Sequence, residues 1–324
     1  MAVYTQLSSH DLAALVAHYD VGELVSAKGI AEGVSNSNWL LETTGKDGSG
    51  ARFILTMYER RIDLADLPFF LGLLDHLAAK GCPVPRTIHD RDGAASRTIG
   101  GKAVALIEFL PGVSIDKPTP VQARNVGRVL ARMHLDAMDF PATRKNDLDI
   151  ATSARVLAEC GAAELARIDP ALPETIGHAA MVAAAWPSGL PQSVIHSDLF
   201  PDNVLMRGAE VTGLIDFYFA CNDAMAYDLA VTHAAWSYAD HGCTFRPEVG
   251  EALVAGYAEV RPLSAEEHAA LPLLAEAACL RFVSSRAQDW LDTPADAMVT
   301  RKDPMDFVRR LDCYRARGPA IFSA

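Results

Sequence analysis

The spacing of apolar residues changes along this chain. Before residue 118, apolar residues come in short runs bounded by Gly, Asn, Asp and Pro, which predicts strands. Beyond it they recur every three or four positions over long stretches, which predicts helices. Residues 21–28, 39–43 and 53–58 read as a β meander, with turns at 29–38 and 44–50. Ahead of it, Ser8 and Asp11 form a capping-box pattern before Leu12, Leu15, Val16 and Tyr19, so a short helix opens there. A further helix is expected over 67–80, apolar at Phe69, Phe70, Leu73, Leu74 and Leu77. Gly81-Cys82-Pro83-Val84-Pro85 is a stiff connector, because each proline keeps its predecessor extended. Residues 94–99 and 102–109 predict a hairpin that ends in a Pro111-Gly112 turn.

The second part predicts helices over 120–138, 154–166, 173–186, 223–241, 247–260, 265–289 and 304–315. The expected architecture is α+β. An antiparallel β-rich lobe spans 1–107, a hinge 108–112, and a larger, mainly helical lobe 113–324. A chain of 324 residues is long for one core, which also argues for two lobes.

Composition removes several classes of function. The net charge of −12 and the lack of a basic tract disfavour nucleic acid and anionic membrane as partners. No apolar run approaches spanning length, and the first residues do not read as a signal peptide. Cysteines 82, 160, 221, 243, 279 and 313 show neither Cys-x-x-Cys nor zinc spacing, so reduced thiols and a cytoplasmic protein are expected. The expected partners are a small-molecule substrate and a nucleotide, on a monomer or homodimer.

The candidate chemistry lies in one stretch, 193–219. A short apolar strand at Val194 and Ile195 runs into His196-Ser197-Asp198, and Asn203 follows with four residues between. A turn at Arg207-Gly208 leads to a strand that delivers Asp216. Two carboxylates and a carboxamide at loop ends are what phosphoryl transfer from ATP needs. Asp198 would orient and deprotonate an attacking hydroxyl, and Asn203 and Asp216 would hold Mg²⁺ through oxygen. Upstream, the loop with Gly33, Val34, Ser35 and Asn36 lies where backbone amides could cover the phosphates. By resemblance to the protein-kinase architecture, whose interlobe hinge reads adenine through its backbone, the strand end at Glu108 and Leu110 would take that role. No G-x-x-x-x-G-K-[ST] occurs, which disfavours a P-loop enzyme.

The His-x-Asp-x-x-x-x-Asn and Asp-Phe motifs resemble the aminoglycoside phosphotransferase and choline kinase family, which has the protein-kinase fold and phosphorylates small molecules. Ser197 stands where protein kinases carry Arg, and Tyr218 where they carry the Gly of Asp-Phe-Gly. Thr56 stands where the third strand usually presents a lysine, and Phe70 where the following helix presents its glutamate. Joint loss avoids leaving a buried Glu unpaired. The phosphate charge would then fall to Mg²⁺, the loop amides and Arg60 or Arg61.

The stretches 32–38, 55–59, 67–77, 196–203 and 281–290 are similar to type II homoserine kinases within that family. The resemblance implies transfer of phosphate from ATP to L-homoserine, giving ADP and O-phospho-L-homoserine for threonine synthesis. Homoserine carries a carboxylate and an ammonium. Arg281 and Arg286 are candidates for the first; Asp202, Asp223 and Asp289 for the second. His196 joins these substrate-side candidates, chiefly as the residue that fixes the loop. Other readings left open are a kinase for an aminoglycoside, choline or fructosamine, and a catalytically silent nucleotide-binding module.

Overall fold

Helix α1 (Ser9–Val16) opens as its sequence predicts. The Asp11 N–H donates to Ser8 Oγ at 3.1 Å, and Asp11 accepts from the Ser8 N–H at 3.3 Å. The computed structural model describes residues 7–30, 36–59, 63–293 and 301–322. Two compact units result: 1–112 with 212–218, and 113–211 with 219–324.

In the first unit, strands β1 (Leu24–Ile30), β2 (Asn36–Thr43) and β3 (Ala51–Tyr58) form the expected meander. Helix α2 (Leu67–Ala79) follows, then β4 (Thr87–Ile88), β5 (Arg97–Ile99) and β6 (Lys102–Glu108). The sheet is antiparallel, in the order β1-β2-β3-β6-β4, with β5 on β6. Strand β1 starts three residues later than the apolar pattern suggests. Gly22, at φ +82°, turns the chain there so tightly that a Cβ would meet Thr44 Oγ1 at 2.4 Å.

Side chains on a strand alternate between faces, so the sheet has two cores. On one face Trp39, Leu41, Leu55, Met57, Val104 and Leu106 bury against Leu12, Leu15 and Val16 of α1. Each fully buried aliphatic side chain contributes roughly 1.5–3 kcal/mol. On the other face Tyr58, Ala105 and Ile107 pack with Leu67 and Leu71 of α2, and Tyr218 packs against them. Residues 212–218 belong here partly because Leu214 N–H donates to Pro83 O at 2.7 Å.

The second unit is helical: α3 (Pro120–Ala137), α4 (Ile150–Cys160), α5 (Ala162–Ile168) and α6 (Glu174–Ala184). Strands β7 (Gln192–Ile195) and β8 (Val204–Arg207) come next, and β9 (Glu210–Leu214) leads into the first unit. Then come β10 (Cys221–Ala224), α7 (Met225–Trp236), α8 (Pro247–Val260), α9 (Ala265–Asp292) and α10 (Met305–Arg317). Strand β10 pairs antiparallel with β7, Cys221 opposite Ile195.

Two helix expectations need correction. The helix expected over 154–166 is two, because Gly161 at φ +78° breaks it and Asp149 caps the first by accepting from Thr152 N–H at 2.7 Å. The helix expected over 223–241 starts at Met225, since Asn222 and Asp223 pair with β7, and ends at Trp236. Asp240, His241 and Gly242 all have positive φ and cannot continue it.

Helices α3 and α8 touch backbone to backbone. A Cβ on Gly127 would lie 2.1 Å from Leu253 O, and one on Gly256 would lie 2.0 Å from Arg124 O. Among the described residues no helix is long and apolar enough to cross a membrane.

Candidate active site

Strand β7 ends at Ile195 and the chain turns at once. Ser197, a non-glycine residue, sits at φ +66°. Such a conformation costs of order 1–3 kcal/mol and persists only where the surroundings enforce it. The enforcement comes from Asp228 on α7, whose side chain has no exposed surface. Its Oδ1 accepts from Ser197 N–H at 2.7 Å, and its Oδ2 from His196 N–H at 2.8 Å. Asp228 Oδ2 also lies 2.9 Å from His134 Nε2, and His134 Nδ1 lies 2.8 Å from Tyr257 Oη. Burial pushes the Asp228 carboxyl up, but the His134 hydrogen bond, the charges of His134 and His196 and the His196 N–H outweigh it and hold it below the ordinary value.

This turn delivers Asp198, whose side chain is 19% exposed. Asn203 lies one turn on; its amide nitrogen donates to Asp198 O at 2.8 Å and sits 3.5 Å from Asp198 Oδ2. That leaves the amide oxygen as the atom for a cation. Burial pushes the Asp198 carboxyl up, opposed by the charges of Arg281, His196 and Lys302; Asp202 adds to the rise. A raised carboxyl is a stronger proton acceptor, which suits proton abstraction from an alcohol.

The substrate-side candidates separate. Arg281 is buried, donates to Ser197 O, and holds Nη2 3.7 Å from Asp198 Oδ1. Arg286 turns to α10, donating to Asp306 Oδ2 at 3.0 Å and to Asp303 O at 2.8 Å. His196 is fully buried, and its Nδ1 accepts from Asp198 N–H at 3.3 Å, the loop-fixing position. Asp202 is exposed in the turn 201–203. Asp223 accepts from Asn146 Nδ2 at 2.7 Å, and burial pushes its carboxyl up. Asp289 is exposed on α9.

In the first unit Asp216 is exposed, again at φ +66°. Gly33, Val34 and Ser35 lie outside the described residues, as do Arg60 and Arg61. Asn36 begins β2, 6% exposed, and its buried Oδ1 has no hydrogen-bond partner. Glu108 ends β6 in a paired fork with Arg86, at 3.1 Å for both contacts, and half-buried Leu110 follows in irregular chain.

Thr56 lies opposite Asn38 and Ala105, is 4% exposed, and donates to Asn38 Oδ1 at 2.8 Å. On the same side of the sheet the Tyr218 hydroxyl meets the Tyr58 hydroxyl at 3.1 Å. The Tyr218 ring packs edge-on against Tyr58 and Phe70, at 5.4 and 5.8 Å. Neutral hydrogen bonds and aromatic rings thus surround Thr56, the position at which the resemblance leads one to expect a lysine.

Asn203 in the second unit offers an amide oxygen and Asp216 in the first a carboxylate; oxygen donors are the kind Mg²⁺ takes, and Mg²⁺ needs few protein ligands because it keeps waters and phosphates. The sequence profile of the phosphotransferase enzyme family matches residues 26–263. The chain belongs to this family. As a phosphotransferase it shares its protein-kinase-like fold with spectinomycin phosphotransferase solved with ADP and spectinomycin (TM-score 0.72, 12% identity, 98% and 100% of the two chains). Amicoumacin kinase solved with AMP-PNP and Ca²⁺ aligns similarly (TM-score 0.68, 13% identity, 98% and 95%). Homoserine kinase of Rhizobium etli is 47% identical over 321 residues, 99% of this chain and 98% of that one. Homoserine kinase of Gluconobacter oxydans is 46% identical over 98% and 99% of the two chains.

Asp228 escaped the sequence reading. Its signal was present: one carboxylate inside the otherwise apolar run 225–231, which is costly unless paired.

Proposed function

We propose that this phosphotransferase moves the γ-phosphoryl group of ATP to the hydroxyl of L-homoserine, giving ADP and O-phospho-L-homoserine. The observation that carries the reaction is Asp198, ionisable, part-exposed and fixed by Asn203. The acceptor rests on homoserine kinases at 46–47% identity across essentially the whole chain.

In this reading Asp198 accepts the proton of the substrate hydroxyl as that oxygen attacks, and its anchored backbone sets the line of attack. Asn203 and Asp216 hold Mg²⁺, which when bound neutralises charge on the phosphates. The loop at 33–36 and the chain at Glu108 and Leu110 receive the nucleotide. Asp202, exposed and close enough to act on Asp198, meets the substrate ammonium. Both arginines are engaged within the fold, so the substrate carboxylate falls to Lys302, an exposed cation whose charge also reaches Asp198.

The test is ADP release across a panel of alcohols: L-homoserine, choline, an aminoglycoside and a fructosamine. L-homoserine should give the highest kcat/KM by at least about tenfold, a discrimination of about 1.4 kcal/mol. A higher value for any other acceptor would displace homoserine.

A further inference from the structure

We infer that Arg281 is a positioning residue for Asp198, holding the peptide before it from α9, and is not a receptor for the substrate. The inference rests on the reading of Asp198 as the base.

Both sides of the strained Ser197 residue are held by buried ionic groups. Its N–H donates to Asp228 on α7, and its carbonyl accepts from Arg281 Nη1 on α9. The Ser197 hydroxyl takes no part, being buried with no hydrogen-bond partner. A left-handed conformation at a residue other than glycine reverts unless it is clamped, and here the clamp is bilateral. The peptide so fixed is the one that carries Asp198.

The guanidinium is shaped for this task. One nitrogen serves the Ser197 carbonyl, and another stands 3.7 Å from Asp198 Oδ1, too far for a hydrogen bond but close enough to act through charge. The planar group stacks on Phe282 at 4.5 Å and faces Phe219 at 5.6 Å. Only 3% of the side chain is exposed, so little of its surface could meet a substrate carboxylate. Ser197 stands where the protein-kinase loop carries its own arginine, and Arg281 brings a cation to the same loop from a distant helix.

The two roles give different kinetics. A carboxylate receptor distinguishes L-homoserine from 3-amino-1-propanol, the same alcohol without its carboxylate. A positioning residue acts on Asp198 whatever the acceptor. In Arg281→Met, kcat should fall by about ten- to a hundredfold for both acceptors, the scale expected when a reacting group is displaced. The ratio of their kcat/KM values should stay within about threefold of wild type. Binding of the nucleotide with Mg²⁺, read by calorimetry, should stay within about threefold.

Arg281→Lys guards against misfolding of the first variant. It keeps the charge and loses the fork, so kcat should still fall for both acceptors while their kcat/KM ratio stays within about threefold of wild type. An Arg281→Lys or Arg281→Met protein with unchanged kcat, a raised KM for L-homoserine alone and a collapsed acceptor ratio would overturn the inference. Failure of the wild type to phosphorylate L-homoserine would instead remove the functional reading beneath it.

Discussion

The Ser197 N–H donates to Asp228 Oδ1 at 2.7 Å, so a carboxylate buried in α7 holds the residue that precedes Asp198, the proposed base. Asp228→Ala would strip the acceptor from His134, His196 N–H and Ser197 N–H together. Breaking a buried charge from its partners costs about 3–5 kcal/mol, and urea unfolding should show that loss. A loss under about 1 kcal/mol would mean the network is incidental. The sign with pH follows from the depressed folded value. The stabilisation from Asp228 is complete above the ordinary carboxylate value of 3.8 and disappears as pH falls through its lower folded value. The gap between wild type and variant should therefore narrow in acid.

Asp198→Asn should abolish turnover and spare nucleotide binding. The amide keeps the size of the side chain but cannot accept the hydroxyl proton. Positioned acid–base groups contribute about 10²–10⁴-fold, so residual kcat above about a tenth of wild type would refute the base assignment. In the wild type, log kcat/KM should fall with decreasing pH through a midpoint above the ordinary 3.8, because burial raises this carboxyl.

Asp216→Ala should weaken Mg²⁺-dependent nucleotide binding more than Asp198→Asn does. It removes a carboxylate ligand, whereas the other substitution leaves the metal ligands in place. Calorimetry with and without Mg²⁺ separates the two. Equal affinity for wild type and Asp216→Ala at saturating Mg²⁺ would dismiss Asp216 as a ligand.

Much of this was readable in advance. The helix at Pro247–Val260 begins and ends where its proline and apolar period put it, and the 198/203/216 spacing points to phosphoryl transfer, in keeping with the phosphotransferase family. Those signals are local. Asp228 was not legible, because its meaning depends on partners 31, 32 and 94 residues away. The split at Gly161 was missed because one glycine is tolerated inside many helices, and only its φ of +78° makes it a break.

Thr56→Lys tests the altered third strand. Thr56 is 4% exposed and bonded to Asn38, with Phe70 in place of a glutamate on α2. A lysine there would be desolvated without a counter-charge, so the variant should lose stability and gain no activity. Thr56→Ala should cost only about 0.5–1.5 kcal/mol. Thermal melts and turnover decide; a stable and markedly faster Thr56→Lys protein would favour a catalytically impaired natural chain.

Lys302→Met should raise KM for L-homoserine at least about fivefold, a loss of roughly 1 kcal/mol, with little change for 3-amino-1-propanol. An equal effect on both acceptors would remove Lys302 from the carboxylate.

The bare contact between α3 and α8 ties packing to chemistry. Gly127 lies two turns before His134 on the same helix, and His134 is the imidazole against Asp228. A single methyl at 127 has nowhere to go but into the Leu253 carbonyl, so α3 must back away as a rod. His134 would travel with it, and the tension would arrive at Asp198 through Asp228 and Ser197. A position with no functional group at all thereby becomes a tuning screw for the active site, one that a search for reactive side chains would pass over.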